Sequence, residues 1–385
     1  MKINTKKFIR NILICVVAWL VVSFILNYSP GFKRDKYVGV TNLVINDEDV
    51  TENLKQNVYV SENKKIYLSL EDVKNIFDKN IYFDDTLNLV ITTSNTKVAS
   101  FNLESNKIVI NGVEQVLDSA AFKQNDVVYI PLSELSLVYN IETKYIENTD
   151  IAVIEILNDG LIKAQVTEKA TIKYKPRFIS KKIGQVNVGD ELSCYYTTSK
   201  GWRLIRTEDG ILGYVKANVL DNEYIVRQDY DDEIKTTEIV TSTKDGTVLT
   251  LYNNENPTKV IIKTLFNLKE NGILGINDDL KEEDYTVWAT FSNKGIEKYS
   301  NEMIKDYSKR TDLINTILSL ASKNKIKGIN IDFNNISDQE AFCRFIIELT
   351  PRLRELGVTT NIILNNSINF EDKLVGIVDF FIKEQ

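Results

Sequence analysis

From about Thr247 onward, strand-forming runs alternate with helix-forming ones, and this rhythm constrains the fold more than any other feature of the chain. Strands are predicted at 248–252, 259–266, 285–292, 327–333, 358–364 and 378–382, with helices over 304–324 and 338–356 between the later ones. Ile304, Leu313, Ile314, Ile317 and Leu320 form an apolar stripe near helical spacing. Pro351 falls near the end of the second helix, where its missing N–H is expected to interrupt or kink it. Strand–helix alternation implies a parallel sheet, and the rhythm predicts a (β/α)-barrel architecture. Within it, Lys327-Gly328-Ile329-Asn330-Ile331-Asp332-Phe333-Asn334 carries polar residues at alternate positions. Alternate residues of a strand face one side, so Asn330, Asp332 and Asn334 are expected to point together into the barrel mouth.

That stretch resembles the fourth-strand signature of glycoside hydrolase family 18, which ends in a catalytic Glu. Tyr285-Thr286-Val287-Trp288-Ala289-Thr290-Phe291-Ser292-Asn293 is similar to the third strand of the family's spore-coat and germination branch, and Arg310-Thr311-Asp312-Leu313-Ile314 to the start of the helix that follows it. The resemblance implies a substrate-assisted mechanism, in which the Glu protonates the glycosidic oxygen and the preceding Asp steadies the substrate's own N-acetyl group. Asn334 stands at the position of that Glu, and an amide has no proton to give at physiological pH. Asp332 remains, while Glu340 falls on the next helix and is expected not to reach the site. A pocket lined by Asn330, Asp332, Asn334 and Trp288 is expected to hold an N-acetyl sugar without hydrolysing it. The alternative is an active chitinase- or N-acetylglucosaminidase-type hydrolase of cell-wall or spore-cortex glycans that uses an unrecognised acid. A closed barrel takes about 250 residues, and about 140 follow Thr247. The expectation is an incomplete barrel of six strands, lacking strands seven and eight and the family's tyrosine-bearing motif, with bare edges at the first and sixth strands.

At the other end of the chain, Lys2, Lys6, Lys7 and Arg10 precede an apolar run from Ile12 to Leu26 broken only by Ser23. This is the pattern of an export signal, and no small-x-small cleavage site follows it. With Phe8 and Ile9 the segment is just long enough to span a bilayer. The expectation is an uncleaved single-pass signal anchor, residues 8–27, with the bulk of the chain outside a Gram-positive cell; cleavage is the alternative. Residues 1–36 carry seven Lys/Arg against one acid, so of a formal net charge of −7 the rest of the chain holds −13. An acidic exterior of that size argues against nucleic acid as a partner.

Residues 37–157 contain an internal repeat: Ile66-Tyr67-Leu68-Ser69-Leu70-Glu71-Asp72-Val73 is echoed at an offset of 62 by Val128-Tyr129-Ile130-Pro131-Leu132-Ser133-Glu134-Leu135, and Leu87-Asn88-Leu89-Val90-Ile91 recurs as Asp150-Ile151-Ala152-Val153-Ile154. Each copy reads as strand, short helix, strand. Ile110-Asn111-Gly112-Val113, between the copies, is a hairpin signal. The segment resembles the small α+β domain named after the copper amine oxidase N-terminus. The chain has no histidine, so a copper site lacks its usual ligands; a spacer role is expected, with a glycan-contacting module as the alternative.

Residues 162–222 show short alternating strands with glycine at turns: Ala170-Thr171-Ile172-Lys173-Tyr174-Lys175-Pro176, Val188-Gly189-Asp190, Gly201-Trp202-Arg203-Leu204-Ile205-Arg206 and Asp209-Gly210-Ile211-Leu212-Gly213-Tyr214-Val215. This order is similar to a bacterial Src-homology-3 domain, which implies a small all-β barrel attached to peptidoglycan. Trp202 and Tyr214 are then core or glycan-contacting residues.

The absence of histidine also excludes Ser-His-Asp and Cys-His chemistry and His-containing metal sites. Cys15, Cys194 and Cys343 are too scattered for a metal site or a disulfide framework. The expected chain is therefore multidomain: an N-terminal tail and transmembrane anchor (1–30), an α+β repeat domain (37–157), an all-β Src-homology-3-type barrel (162–222) and an incomplete (β/α) TIM-type barrel (226–385). It is expected to take no cofactor or metal and to bind peptidoglycan or another N-acetylglucosamine polymer.

Overall fold

The computed structural model describes residues 5–28, 39–158, 160–226, 237–242, 248–253, 256–269 and 286–384. Residues 1–4 and Tyr285 of the expected third strand lie outside them. The protein is a multidomain mixed α/β chain, and its described residues form five sheets. It divides into two compact units, Met1–Asp72 with Ala121–Tyr230, and Val73–Ala120 with Asp231–Gln385. The boundary cuts through the expected 37–157 domain, so its middle segment belongs with the C-terminal sheet.

Helix α1 (Thr5–Tyr28) contains the N-terminal apolar run. Among the described residues no helix is long and apolar enough to cross a membrane.

In the first unit, the repeat becomes a local two-fold. Strands Ile66–Ser69 and Val127–Pro131 pair antiparallel with Leu68 opposite Ile130, the two residues that the 62-residue offset makes equivalent. Helix α2 (Leu70–Ile76), which begins in this unit and runs past its boundary at Asp72, and helix α3 (Leu132–Leu135) follow the paired strands. The unequal lengths have a local cause. Ser69 Oγ accepts from the Asp72 N–H at 3.1 Å and donates to Asp72 Oδ2 at 2.5 Å, a reciprocal cap. The second copy has Pro131 and Glu134 instead, and Pro131 makes no side-chain cap. A second sheet pairs Asn42–Ile45 in parallel with Ile151–Ile156. Beyond it, seven antiparallel strands from Leu161–Val166 to Leu220–Val226 form one sheet. Strands from across that sheet feed one cluster of Ala164, Val166, Ile172, Val186, Leu192, Cys194, Ile205 and Val215, so the sheet wraps around its own core.

The second unit contains a five-stranded antiparallel meander from Tyr82–Asp84 to Val113–Val116. Its last hairpin turns at Asn111 and Gly112, both at positive φ, with Ile110 opposite Val113 as the Asn-Gly signal predicts. The remaining sheet has seven strands in the order Glu238–Ser242, Phe380–Glu384, Thr359–Leu364, Gly328–Asp332, Thr286–Ser292, Asn256–Asn267, Val248–Asn253. Helices α4 (Glu297–Lys305) and α5 (Tyr307–Lys323) connect Thr286–Ser292 to Gly328–Asp332, and α6 (Gln339–Glu355), which runs through Pro351, connects Gly328–Asp332 to Thr359–Leu364. Their apolar faces pack with Phe291, Ile329, Ile331 and Ile362 in the main core of the unit.

Two expectations about this sheet are corrected. The first predicted strand is not a parallel barrel strand, because Val248–Asn253 pairs antiparallel with Asn256–Asn267. A parallel connection needs a dozen or more residues, and only two separate Asn253 from Asn256. Nor is the Phe380–Glu384 edge bare, since Glu238–Ser242, which the sequence did not suggest as a strand, pairs with it in parallel.

The meander and the helices of this unit share a buried polar knot. The Tyr82 hydroxyl donates to Glu348 Oε1 at 2.8 Å and accepts from Arg310 Nη2 at 2.9 Å, while Arg310 also bonds both Glu348 oxygens at 3.0 Å. Arg344 lies 4.2 Å from the Tyr82 ring centre. Burial and the neighbouring Glu348 carboxylate push the Tyr82 hydroxyl far above its ordinary range, so it stays protonated as a donor.

Candidate functional site

Three parallel strands build the candidate site, with Thr290, Asn330 and Asn361 in register across them. Because side chains alternate, Val287, Ala289 and Phe291 face the helices while Trp288, Thr290 and Ser292 face the other side. That inner face is layered. At the N-terminal end of the strands Trp288, 2% exposed, packs on Phe380 with ring centres 4.9 Å apart and shares a cluster with Val260, Ile262, Ile363 and Ile382. Gly328 is required beside it: a Cβ there would fall 2.6 Å from Trp288 Nε1 and 2.7 Å from Thr359 Oγ1. One layer up, Asn361 Nδ2 donates to Asn330 Oδ1 at 2.8 Å and Asn330 Nδ2 to Thr290 Oγ1 at 3.3 Å, an amide chain sealed from solvent.

Only the third layer, at the C-terminal strand ends, is open. Asp332 is half-buried there; its Oδ2 accepts from Ser292 Oγ at 3.4 Å, and its Oδ1 from Asn334 Nδ2 at 3.3 Å and from Asn365 Nδ2 at 3.5 Å. Of the expected pocket residues, the structure brings Asp332 and Asn334 together. It places Asn330 one layer and Trp288 two layers below them. The expectation that Trp288 and Asn330 line the mouth is corrected. Alternation places all of these residues on the inner face, but successive inward residues descend the strand and only the last reach the open end.

Asparagines that the sequence reading passed over hold the loop after Asp332. Asn293 Oδ1 accepts from the Asn334 N–H at 2.8 Å and Asn293 Nδ2 donates to the Asn334 carbonyl at 3.0 Å, a closed two-bond clamp. Asn301 bonds the Asn335 carbonyl and the Ser337 N–H in the same way, at 2.8 and 3.0 Å. Asn365 Nδ2 reaches the Phe333 carbonyl at 3.0 Å, and Ser367 Oγ accepts from the Asn335 N–H at 2.8 Å. Asn335 sits at φ 54°, a conformation asparagine tolerates better than most residues. Each clamp needs a side chain that both donates and accepts, which is the property of an amide. A signal for Asn293 was available, since it closes the Tyr285–Asn293 stretch; nothing marked Asn301 or Asn365.

The arrangement offers one carboxylate and several amide and hydroxyl groups at an open strand end. It can accept and donate hydrogen bonds to a polar ligand, but the group beside Asp332 has no acidic proton. Two nearby carboxyls are committed elsewhere. Asp338 caps α6, where the Ala341 N–H at 3.0 Å holds it below its ordinary range. Glu340 is exposed and bonded to Arg344 one helical turn on. Among the described residues no group of three His, Cys, Asp or Glu side chains could hold a metal ion.

In the first unit, Trp202 is buried, with its ring 5.5 Å from that of Phe178. The Tyr214 hydroxyl is 2.7 Å from that of the exposed Tyr196. Trp202 is thus a core residue, and Tyr214 is half-buried beside the surface. A separate cavity of about 600 Å³ in this unit is lined by Glu142, Lys144, Glu155, Lys163 and Arg206 among others. There Tyr195 donates to Glu155 Oε1 at 2.7 Å. Burial raises the Glu155 carboxyl above its usual range. None of these residues belongs to the strand-end site.

Residues 44–154 match the family model of the Copper amine oxidase N-terminal domain. A comparison with curated proteins finds no match. Among solved structures, the chain is similar to the Bacillus cereus spore cortex-lytic enzyme SleL, at 20% identity and a TM-score of 0.28, covering 32% of this chain and 33% of that one. It is similar to the Bacillus megaterium SleL at 14% identity and 0.28, covering 52% and 57%. It is similar to a chitinase from Chromobacterium violaceum at 18% identity and 0.28, covering 32% and 47%. The chain thus spans between one third and three fifths of these structures.

Proposed function

We propose that this protein is a non-catalytic component of a bacterial cell envelope that binds N-acetylglucosamine-containing glycans, peptidoglycan among them, at the strand end of Asp332 and Asn334. The observation that carries this reading is the Asn334 amide lying against the Asp332 carboxylate at the open C-terminal end of three parallel strands. Loss of a general acid alone costs roughly 10²–10⁴-fold in rate. The surviving carboxylate, the Ser292 hydroxyl and the Asn365 amide still suit the hydroxyl and N-acetyl groups of a sugar. The family 18 resemblance of residues 327–334 supports that ligand class.

In the same reading, residues 8–27 anchor the chain in the membrane with the rest outside. The apolar side chains of α1 from Ile12 to Val22 are exposed around the helix, which suits a lipid environment. Residues 162–222 are the wall-attachment module, of bacterial Src-homology-3 type, and residues 37–157 a spacer.

The test is binding without turnover. The full chain is expected to bind N-acetylglucosamine oligomers and purified sacculi, Asp332→Ala to weaken oligomer binding, and neither to release product from an aryl N-acetylglucosaminide. Turnover by the wild type that Asp332→Ala abolishes would refute the reading. Protease treatment of intact protoplasts should leave only a small membrane-protected fragment; mature protein starting near residue 30 in the medium would rule out the anchor.

A further inference from the structure

The exterior of this chain is acidic, yet between Glu168 and Asp190 it carries six Lys/Arg and no acid. The stretch includes the hairpin loop joining strands Ala170–Lys173 and Lys182–Val186. At the loop tip Phe178 is 76% and Ile179 70% exposed, flanked by the exposed Arg177, Lys181 and Lys182. Among the described residues these three cations make no ion pair.

The loop is held in this shape. Ser180 Oγ accepts from the Lys175 N–H at 2.8 Å, and the Tyr174 N–H bonds the Lys181 carbonyl at 3.0 Å. The Phe178 ring stands edge-on to the buried Trp202, and Lys216 Nζ lies 5.1 Å from one ring centre and 4.7 Å from the other. A fixed loop that keeps a phenylalanine and an isoleucine in water amid unpaired cations is costly unless something covers it.

We infer that the 174–181 loop docks on an anionic lipid surface, with Phe178 and Ile179 entering the headgroup–acyl boundary and Arg177, Lys181 and Lys182 pairing with lipid phosphates. A soluble polyanion would satisfy the cations and leave both apolar side chains in water. A lipid interface accepts both kinds of group at once.

Phe178→Trp places a fluorophore at the tip, read as a difference spectrum against the wild-type full chain. With vesicles of phosphatidylcholine containing phosphatidylglycerol, the introduced indole is expected to shift to the blue and to be quenched by brominated lipid. With phosphatidylcholine alone neither is expected. The readout sits at residue 178 and is the same whether or not α1 inserts. Each cation near an anionic surface is worth about fivefold in partitioning. Combining Arg177→Glu, Lys181→Glu and Lys182→Glu should therefore weaken the effect by at least ~100-fold, while touching only exposed side chains. Equal quenching in neutral and anionic vesicles, or none in either, overturns the inference. So does soluble polyphosphate that binds as tightly as the vesicles, through the same three cations, without burying the indole.

Discussion

Asn334 Nδ2 donates to Asp332 Oδ1 at 3.3 Å, so the residue beside the one carboxylate of the strand-end site neutralises no charge and supplies no proton. Replacing the amide by a carboxyl changes the electrostatics directly. In Asn334→Glu two carboxyls share one site, and a like charge within about 4–6 Å raises the proton affinity of one of them. The introduced carboxyl is expected to titrate above the ordinary Glu value of about 4.3, measured by a carbon-13 NMR difference against the wild type. An unshifted titration would mean that the longer side chain points away from Asp332. If hydrolysis of an aryl N-acetylglucosaminide appears with the shift, the missing acid was the only defect of the site.

Gly328 and Trp288 are a matched pair, because the indole occupies the volume that any Cβ at 328 would need. Gly328→Ala is expected to destabilise the second unit by about 1–3 kcal/mol through overpacking. Trp288→Phe removes part of the obstacle, so the double variant should lose less than the two single costs added together. Denaturant unfolding of all four proteins measures the coupling. Strict additivity would show that the two residues do not share space.

The Tyr82–Arg310–Glu348 knot separates the loss of a hydrogen bond from the exposure of a charge. Tyr82→Phe removes one bridging hydroxyl while Arg310 keeps both oxygens of Glu348, a cost of about 1–2 kcal/mol. Glu348→Ala leaves the buried Arg310 guanidinium without its counter-ion, for which about 3–5 kcal/mol is typical. Equal losses in the two variants, followed by urea unfolding, would mean that the ion pair adds nothing beyond its hydrogen bonds.

The later strands were legible in the sequence because their apolar runs are bounded by helices with strong periodicity, and Asp332 and Asn334 were legible from their alternation. The paired repeat strands were legible because both copies are short apolar runs of strand-forming residues, Ile66 and Tyr67 in one and Val128, Tyr129 and Ile130 in the other. The hairpin Val248–Asn253 with Asn256–Asn267 was misread as two parallel strands, although the short gap between them already forbade a crossover. Glu238–Ser242 left only a weak signal, since Ile239, Val240 and Thr241 favour a strand but the run is five residues long with polar residues at both ends. The depth of Trp288 was invisible for a different reason. Alternation gives the face of a strand, but distance along it decides whether a residue meets solvent. The asparagine clamps depend on loop geometry that no spacing rule encodes, and the Tyr82–Glu348 contact joins residues 266 apart.

Asp338 gives α6 a pH-dependent beginning. Its Oδ1 accepts from the Ala341 N–H at 3.0 Å and Lys305 lies 3.6 Å from Oδ2; the backbone bond, and to a lesser degree the lysine, lower its pKa from 3.8. A carboxyl whose folded pKa is depressed stabilises the helix above its unfolded value, and loses that contribution as pH falls through the folded one. At neutral pH Asp338→Ala should cost about 1 kcal/mol, the usual worth of an N-cap, with the surface pair adding little. Hydrogen exchange at the Ala341 amide is the local readout. It should quicken in the variant at neutral pH, and the difference from wild type should shrink progressively below pH 3.8. A difference that persists undiminished at lower pH would show that the cap acts through its geometry alone, since a protonated carboxyl would then hold the amide as well as the charged one.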